Sequence, residues 1–150
     1  NRGCGFNLIK GHPNSLGPNK KPLHTLSPTI WSKDGSLDFI TGTRGGRYQP
    51  QLLAQTILPY ILGVSSFEET MKKPRWVIDN FGSNSTSKIK FEFIEKSERI
   101  SLENKGHKIA VANKLIGAYG PISTIYRNSD EKFIGVPDIR VGTEKAFNNS

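Results

Sequence analysis

The first alternating stretch of the chain centres on residue 30. Thr29, Ile30 and Trp31 form a short β-prone run, and Lys33-Asp34-Gly35 marks a tight turn in which glycine supplies the positive φ a hairpin needs. A second strand is expected over 36–41, with Leu37 and Phe39 facing away from Asp38 and Ile40. The period then lengthens. Leu53, Ile57 and Ile61 recur at helical spacing beside Leu58 and Leu62, predicting a helix over 50–62. Pro50 suits its first turn, Pro59 should kink it by removing one hydrogen bond, and Gly63 ends it. Ser66 and Glu69 have the spacing of a capping box, opening a short helix that Pro74 stops. Residues 75–78 read as a strand and 80–87 as a polar loop. Residues 88–93 read as an edge strand, with Ile89, Phe91 and Phe93 on one face and a basic outer face. Ser97 is expected to cap a helix carrying Ile100 and Leu102, closed by Gly106 in the left-handed conformation. Strands over 107–111, 121–127 and 133–136 follow, the last two joined by Asn128-Ser129-Asp130, before a frayed tail over 142–150.

Hairpin, helices, then further strands without regular βαβ alternation favour an α+β fold. No internal repeat is visible. The 150 residues suffice for one domain with a core, although hydrophobic residues are only 35%. The net charge of +8 fits either an anionic partner or a basic fragment of something larger. The chain opens on Asn1-Arg2-Gly3 rather than Met, as expected of a processed subunit or part of a longer chain. The lone Cys4 has no partner for an internal disulfide or a thiolate metal site. No apolar run approaches the ~20 residues of a membrane span.

Residues 1–22 are rich in Gly, Pro and Asn and form a long loop, either a functional element or a linker. Its Lys20-Lys21 pair reads as solvated surface or as a phosphate patch. Gly42-Thr43-Arg44-Gly45-Gly46 leaves the second strand and leads into the first helix. It has two readings: a plain strand-to-helix turn, or a loop whose N–H groups stabilise a developing negative charge beside a helix N-terminus. His12, His24 and His107 lack metal-ligand spacing, so neither a metal nor a cofactor is expected. His24 and Thr25 are adjacent on an extended segment and point to opposite faces, which disfavours direct base–hydroxyl pairing. Asn84-Ser85-Thr86 is formally a glycosylation acceptor, but no secretory signal accompanies it. No mixed aromatic and basic face points to a nucleic-acid partner. The strand around Lys88 and Lys90 offers only a weaker reading of that kind, which requires salt-dependent affinity.

One family accounts for these fragments together. Residues 17–29, Gly-Pro-Asn-Lys-Lys-Pro-Leu-His-Thr-Leu-Ser-Pro-Thr, resemble the P-x-K-R-P-L-S-S-M-S-P-T segment of γ-glutamyltranspeptidases. Gly42-Thr43-Arg44-Gly45-Gly46-Arg47 resembles their G-S-P-G-G-S loop, with the same Lys33-Asp34-Gly35 hairpin between the two. Lys73-Pro74-Arg75 is similar to the family's A-P-R, residues 106–111 to its G-H-x-V strand, and Pro137-Asp138-Ile139-Arg140 to its D-P-R. The matches run through nearly the whole chain in order. The resemblance implies an N-terminal-nucleophile hydrolase with an αββα sandwich, made as a self-cleaving precursor. This chain would be the C-terminal part of the small subunit. A nucleophilic Thr would lie upstream of Asn1, and the N-terminal portion of the precursor would be its partner. Half a sandwich would leave sheet edges and apolar faces open.

Carried over residue by residue, Gly45 and Gly46 match the pair that forms the oxyanion hole. Donors of that kind contribute ~2.7–4 kcal/mol each. His24 and Thr25 stand where the family has two serines that hold the substrate's α-carboxylate. Asn1-Arg2-Gly3-Cys4-Gly5-Phe6 stands where it has N-Q-M-D-D-F, so Gly5 replaces the aspartate that binds the α-ammonium, and Arg2 replaces a neutral amide. Gln49-Pro50-Gln51 departs from the usual aliphatic continuation and is similar to a divergent branch with N-R-G and Q-P-Q. A buried ammonium without its partner is costly, so the expected substrate is an amide with an acidic acyl group. The alternative is a non-catalytic basic binding domain that retains the fold.

Overall fold

Two β-sheets and three helices organise the chain in a computed structural model, which describes residues 3–79 and 87–142. In order, the elements are β1 (Thr29–Lys33), β2 (Ser36–Thr43), α1 (Gln49–Ile61), α2 (Phe67–Lys72), β3 (Trp76–Asp79), β4 (Lys88–Phe91), α3 (Lys96–Asn104), β5 (Lys108–Val111), β6 (Ile122–Arg127) and β7 (Phe133–Val136). Arg2, most of the polar loop with its glycosylation triplet, and nearly all of the tail lie outside the described residues.

The larger sheet runs β1-β2-β6-β7, antiparallel throughout. Its hairpin turns at Asp34 (φ 49) and Gly35 (φ 76), the paired positive φ values that a tight hairpin favours. Trp31 faces Phe39 but Ser32 faces Leu37, so Asp38 is an extra residue in a β-bulge. The bulge breaks the strict alternation expected over 36–41. It lets Asp38 Oδ1 accept the Tyr60 hydroxyl at 3.2 Å, on the side where Phe39 is buried.

Helix α1 packs on this sheet through Gln49, Leu52, Leu53, Thr56 and Ile57. The expected face is therefore displaced. Leu53 and Ile57 are inside, but Leu58, Ile61 and Leu62 remain exposed. Thr56 tolerates burial because its hydroxyl donates to the Leu52 carbonyl at 3.2 Å. The helix continues through Pro59 and closes two residues later. Val64 N–H then donates to the Pro59 carbonyl at 2.8 Å, and Gly63 (φ 66) donates to Tyr60 at 3.0 Å. Helix α2 has the expected capping box between Ser66 and Glu69.

Phe39, Phe67, Met71, Ile122 and Val136 join the buried residues of α1 in the core. The opposite face of the sheet carries Ile30, Ile40 and Ile125 side by side in register, all exposed. An uncovered apolar row is what half a sandwich leaves open.

In the smaller sheet, β4 pairs antiparallel with β3 and parallel with β5. It is the central strand, not the expected edge, because β5 supplies a second ladder that the local pattern does not show. The N-cap of α3 is Glu95 rather than Ser97, which falls inside the first turn. Glu95 has the extended backbone of a cap (ψ 144) and no side-chain capping bond, which explains why side-chain chemistry misplaces this boundary. Gly106 does close the helix in the left-handed conformation, at φ 86.

Candidate active site

The glycine loop joins the end of β2 to the start of α1. Gly46 has φ 56, a backbone that side chains resist, while the space around its absent Cβ is empty. Gly45 is needed for a different reason: a Cβ there would lie 3.0 Å from Leu52 Cδ1 and 3.8 Å from Gln49 Cγ. The Gly45 carbonyl accepts from Tyr48 N–H at 3.0 Å, closing a 3-10 turn (Gly46–Tyr48) that runs directly into α1. The loop thus sits at the positive end of the helix dipole, where backbone N–H groups can cradle an anion.

The loop is braced from behind. A Cβ on Gly120 (φ 61) would stand 1.8 Å from the Arg44 carbonyl oxygen, so only glycine fits against the loop there. Thr43 Oγ1 donates to the Pro121 carbonyl at 3.0 Å. Tyr48 donates to Asp79 at 3.1 Å, and burial, followed by that carboxylate, raises the Tyr48 pKa. Asp79 also pairs with Lys90, so the basic strand is partly neutralised on its own sheet.

His24 is exposed and Thr25 half-buried on the segment leading to β1. The buried Gln49 ties that segment to the start of α1: it accepts from Ser27 N–H through Oε1 at 3.2 Å. Gly5 is held within the N-terminal loop. Its carbonyl accepts from Asn14 Nδ2 at 2.8 Å, within the loop that also pairs Asn7 with Ser15. Arg2 lies outside the described residues.

A buried ionic cluster anchors the surroundings. Arg75 pairs with Asp138 at 2.6 Å and donates to the Gly120 carbonyl at 2.6 Å. Arg140 pairs with both Glu92 and Asp138. Burial lowers the Arg75 pKa and Arg140 adds repulsion, whereas at Arg140 burial is the largest single effect but the bonds and charges of Glu92 and Asp138 together outweigh it, and the pKa rises. Residue-by-residue reasoning missed Gln49, Gly120 and Glu92 as parts of the site's support. Gln49 carried a signal, since it departs from the expected aliphatic pattern. Gly120 carried none, because its constraint comes from a strand distant in sequence.

Among the described residues, no group of His, Cys, Asp and Glu could hold a metal ion. Among them, no helix is long and apolar enough to cross a membrane.

The α+β arrangement, with its glycine loop at a helix start, is matched by solved structures of the N-terminal-nucleophile hydrolase fold. A solved γ-glutamyltranspeptidase from Helicobacter pylori shares it, with a TM-score of 0.72 and 23% identity over 89% of this chain and 70% of that one. The chain belongs to the gamma-glutamyltranspeptidase family, whose model matches residues 2–147. It is 30% identical over 141 residues to the oxamate amidohydrolase proenzyme of Klebsiella pneumoniae subsp. pneumoniae, covering 93% of this chain and 27% of that protein. It is 31% identical over 124 residues to the glutathione hydrolase-like YwrD proenzyme of Bacillus subtilis, covering 81% of this chain and 23% of that protein. It therefore spans about a quarter of the length of these relatives.

Proposed function

We propose that this chain is the C-terminal part of the small subunit of a self-cleaving amide hydrolase or acyltransferase. Residues 1–22 form its substrate-pocket loop, and residues 22–47 its hairpin and oxyanion loop. The full-length protein cleaves or transfers a γ-glutamyl or similar acidic acyl group from an amide. A Thr freed at a new N-terminus upstream of Asn1 attacks the carbonyl, and the N–H groups of Gly45 and Gly46 receive the negative charge that develops on its oxygen. The observation that carries this reading is the geometry of the glycine loop. Left-handed Gly46 stands at the start of α1, and Gly120 is wedged against the residue just before the pair.

The acid of the acyl group is held by Thr25 and His24, with Arg2 favouring negative charge. Gly5 supplies no counter-charge for an α-ammonium, so acyl groups without one are preferred. The amidohydrolase among the relatives, whose name gives oxamate as its substrate, supports this preference. No cofactor is required, and the rest of the precursor is the structural partner.

The test is expression of the complete reading frame, followed by intact mass and N-terminal sequencing. Two chains, the smaller beginning with Thr, are expected. Turnover of glutaryl-p-nitroanilide should then exceed that of γ-glutamyl-p-nitroanilide. Equal or better turnover of the γ-glutamyl compound refutes the specificity. One uncut chain without Thr, Ser or Cys at the junction refutes the catalytic reading and favours a basic binding domain.

A further inference from the structure

Gln49 occupies an unusual position between two halves of the site. It is 3% exposed and lies in the first turn of α1, three residues after Gly46. Its Oε1 accepts from Ser27 N–H at 3.2 Å, across 22 residues of sequence. Its Cγ and backbone N each stand 3.8 Å from the position a Gly45 Cβ would take. One side chain thus lines the space beside Gly45 where a Cβ would stand and grips the segment that carries His24 and Thr25. An aliphatic residue of the same size could pack against Gly45, but it could not accept from Ser27. That N–H would then be left facing a buried site without its acceptor.

We infer that Gln49 is a positioning residue that locks residues 24–27 onto the glycine loop and so fixes the distance between the substrate's acid group and the oxyanion donors. The inference rests on the acyl-amide reading given under Proposed function. A second contact points the same way. The Cβ position of Gly42 lies 3.7 Å from both Cα and Cβ of Pro28, so the segment meets β2 closely just beyond the Gln49 bond. Gln49 therefore grips the last residue before Pro28 meets the sheet, and its bond contributes to the placement of the segment that carries residues 24–26. A loss at Gln49 should weaken ground-state binding through Thr25 and leave the glycine loop itself formed. KM should change, and kcat should change little.

The experiment uses the full-length processed enzyme with glutaryl-p-nitroanilide as probe. Gln49→Met keeps the volume and loses the acceptor, whereas Gln49→Glu keeps an acceptor oxygen. Gln49→Met is expected to raise KM about tenfold with kcat within about threefold of wild type, and Gln49→Glu to recover most of the KM. In a Thr25→Ala background, Gln49→Met should change KM by less than about twofold, because both act through the same contact. Fully additive effects, or equal losses in kcat for the Met and Glu variants, overturn the assignment. If Gln49→Met does not fold, Gln49→Asn, whose shorter amide cannot reach Ser27, is read in the same way.

Amide hydrogen exchange gives a readout independent of turnover. Peptides covering residues 23–28 should exchange about tenfold faster in Gln49→Met, while β2 and β6 are unchanged. If the wild-type enzyme hydrolyses neither amide, the functional reading fails and exchange alone decides the positioning role. Unchanged protection of residues 23–28 overturns it.

Discussion

Gly120 and the Arg44 carbonyl are in such close approach that a methyl group on Gly120 would sit 1.8 Å from the oxygen. The residue is also at φ 61, so a side chain there meets both backbone strain and a fixed wall. Gly120→Ala should cost roughly 2–4 kcal/mol and displace the loop just before Gly45. Gly106→Ala is the control. It has φ 86 but open space, so only strain applies, about 1 kcal/mol. Urea unfolding of both full-length variants, with kcat for each, checks the contrast. Gly120→Ala should lose kcat, and Gly106→Ala should not.

The Arg75–Asp138 pair differs in kind from the ion pairs at the surface. Both side chains are at most 3% exposed, and Asp138 also accepts from Ile122 N–H at 2.8 Å. Asp138→Ala would remove the carboxylate that pairs with the buried Arg75 guanidinium, because Glu92 pairs with Arg140 and accepts from the Arg75 backbone N–H instead. The expected loss is roughly 3–5 kcal/mol. Removing the exposed Arg99–Glu103 pair with Arg99→Ala should cost no more than about 0.5 kcal/mol. Unfolding midpoints of the full-length variants distinguish the two, and comparable losses refute the burial argument.

Gln51 and Gln55, one helical turn apart on α1, act as a substitute strand along the free edge of β3. Gln51 accepts from Ile78 N–H at 2.7 Å and donates to its carbonyl at 3.3 Å. Gln55 does the same for Trp76, at 3.1 and 2.8 Å. Edge strands are commonly covered in some such way against pairing with other chains. Gln51→Leu and Gln55→Leu should each cost about 1 kcal/mol. The double variant should also expose the edge, raising exchange at Trp76 and Ile78 and promoting association at high concentration. A double variant whose association state and protection match the wild type rules this out.

Much of this architecture was legible locally. The hairpin turn, the capping box and the two left-handed glycines at helix ends are decided by a few adjacent residues, and they form where expected. Apart from the α3 N-cap, where Glu95 caps without a side-chain bond, the errors share one cause. Asp38 leaves its face because of a bulge opposite Trp31, β4 becomes central because β5 joins it, and Ile61 stays outside because the sheet meets α1 one turn earlier. Each depends on a partner distant in sequence. In the candidate site, the spacing of Gly45 and Gly46 leaves a plain turn open, and it is the family resemblance that points to an oxyanion role. The residues that hold them, Gln49 and Gly120, become recognisable only when β6 and the 22–28 segment are folded against the loop.

Tyr126 should titrate far from an ordinary phenol. Burial, followed by its 2.8 Å bond to Glu68, pushes it up to about 12. Because the folded value lies above the unfolded one, near 10, the stabilisation is fully present below pH 10. It is lost as the pH rises toward 12. Subtracting the ultraviolet absorbance titration of Tyr126→Phe from that of the wild-type full-length protein isolates this group. A midpoint near 10 would mean that neither the burial of Tyr126 nor its contact with Glu68 holds in solution.

Gly45 and Gly46 separate two requirements that a single glycine motif conceals, and substitutions can address each one. At Gly46 the constraint is φ 56 with open space, and Asn tolerates that backbone far better than a β-branched residue. Gly46→Asn should therefore keep the loop and retain kcat within about tenfold, whereas Gly46→Val should misplace its N–H and lose about 10²–10³ in kcat. At Gly45 φ lies outside the left-handed region, and the nearest obstacle to a Cβ is Leu52 Cδ1 at 3.0 Å. Gly45→Ala should accordingly be rescued by Leu52→Ala, which vacates the space at a stability cost of about 2–5 kcal/mol. The same Leu52 change should do nothing for Gly46→Val. If the N–H groups of this loop receive the oxyanion, all four effects should appear in kcat with KM nearly constant. An effect confined to KM would place the loop in substrate binding instead.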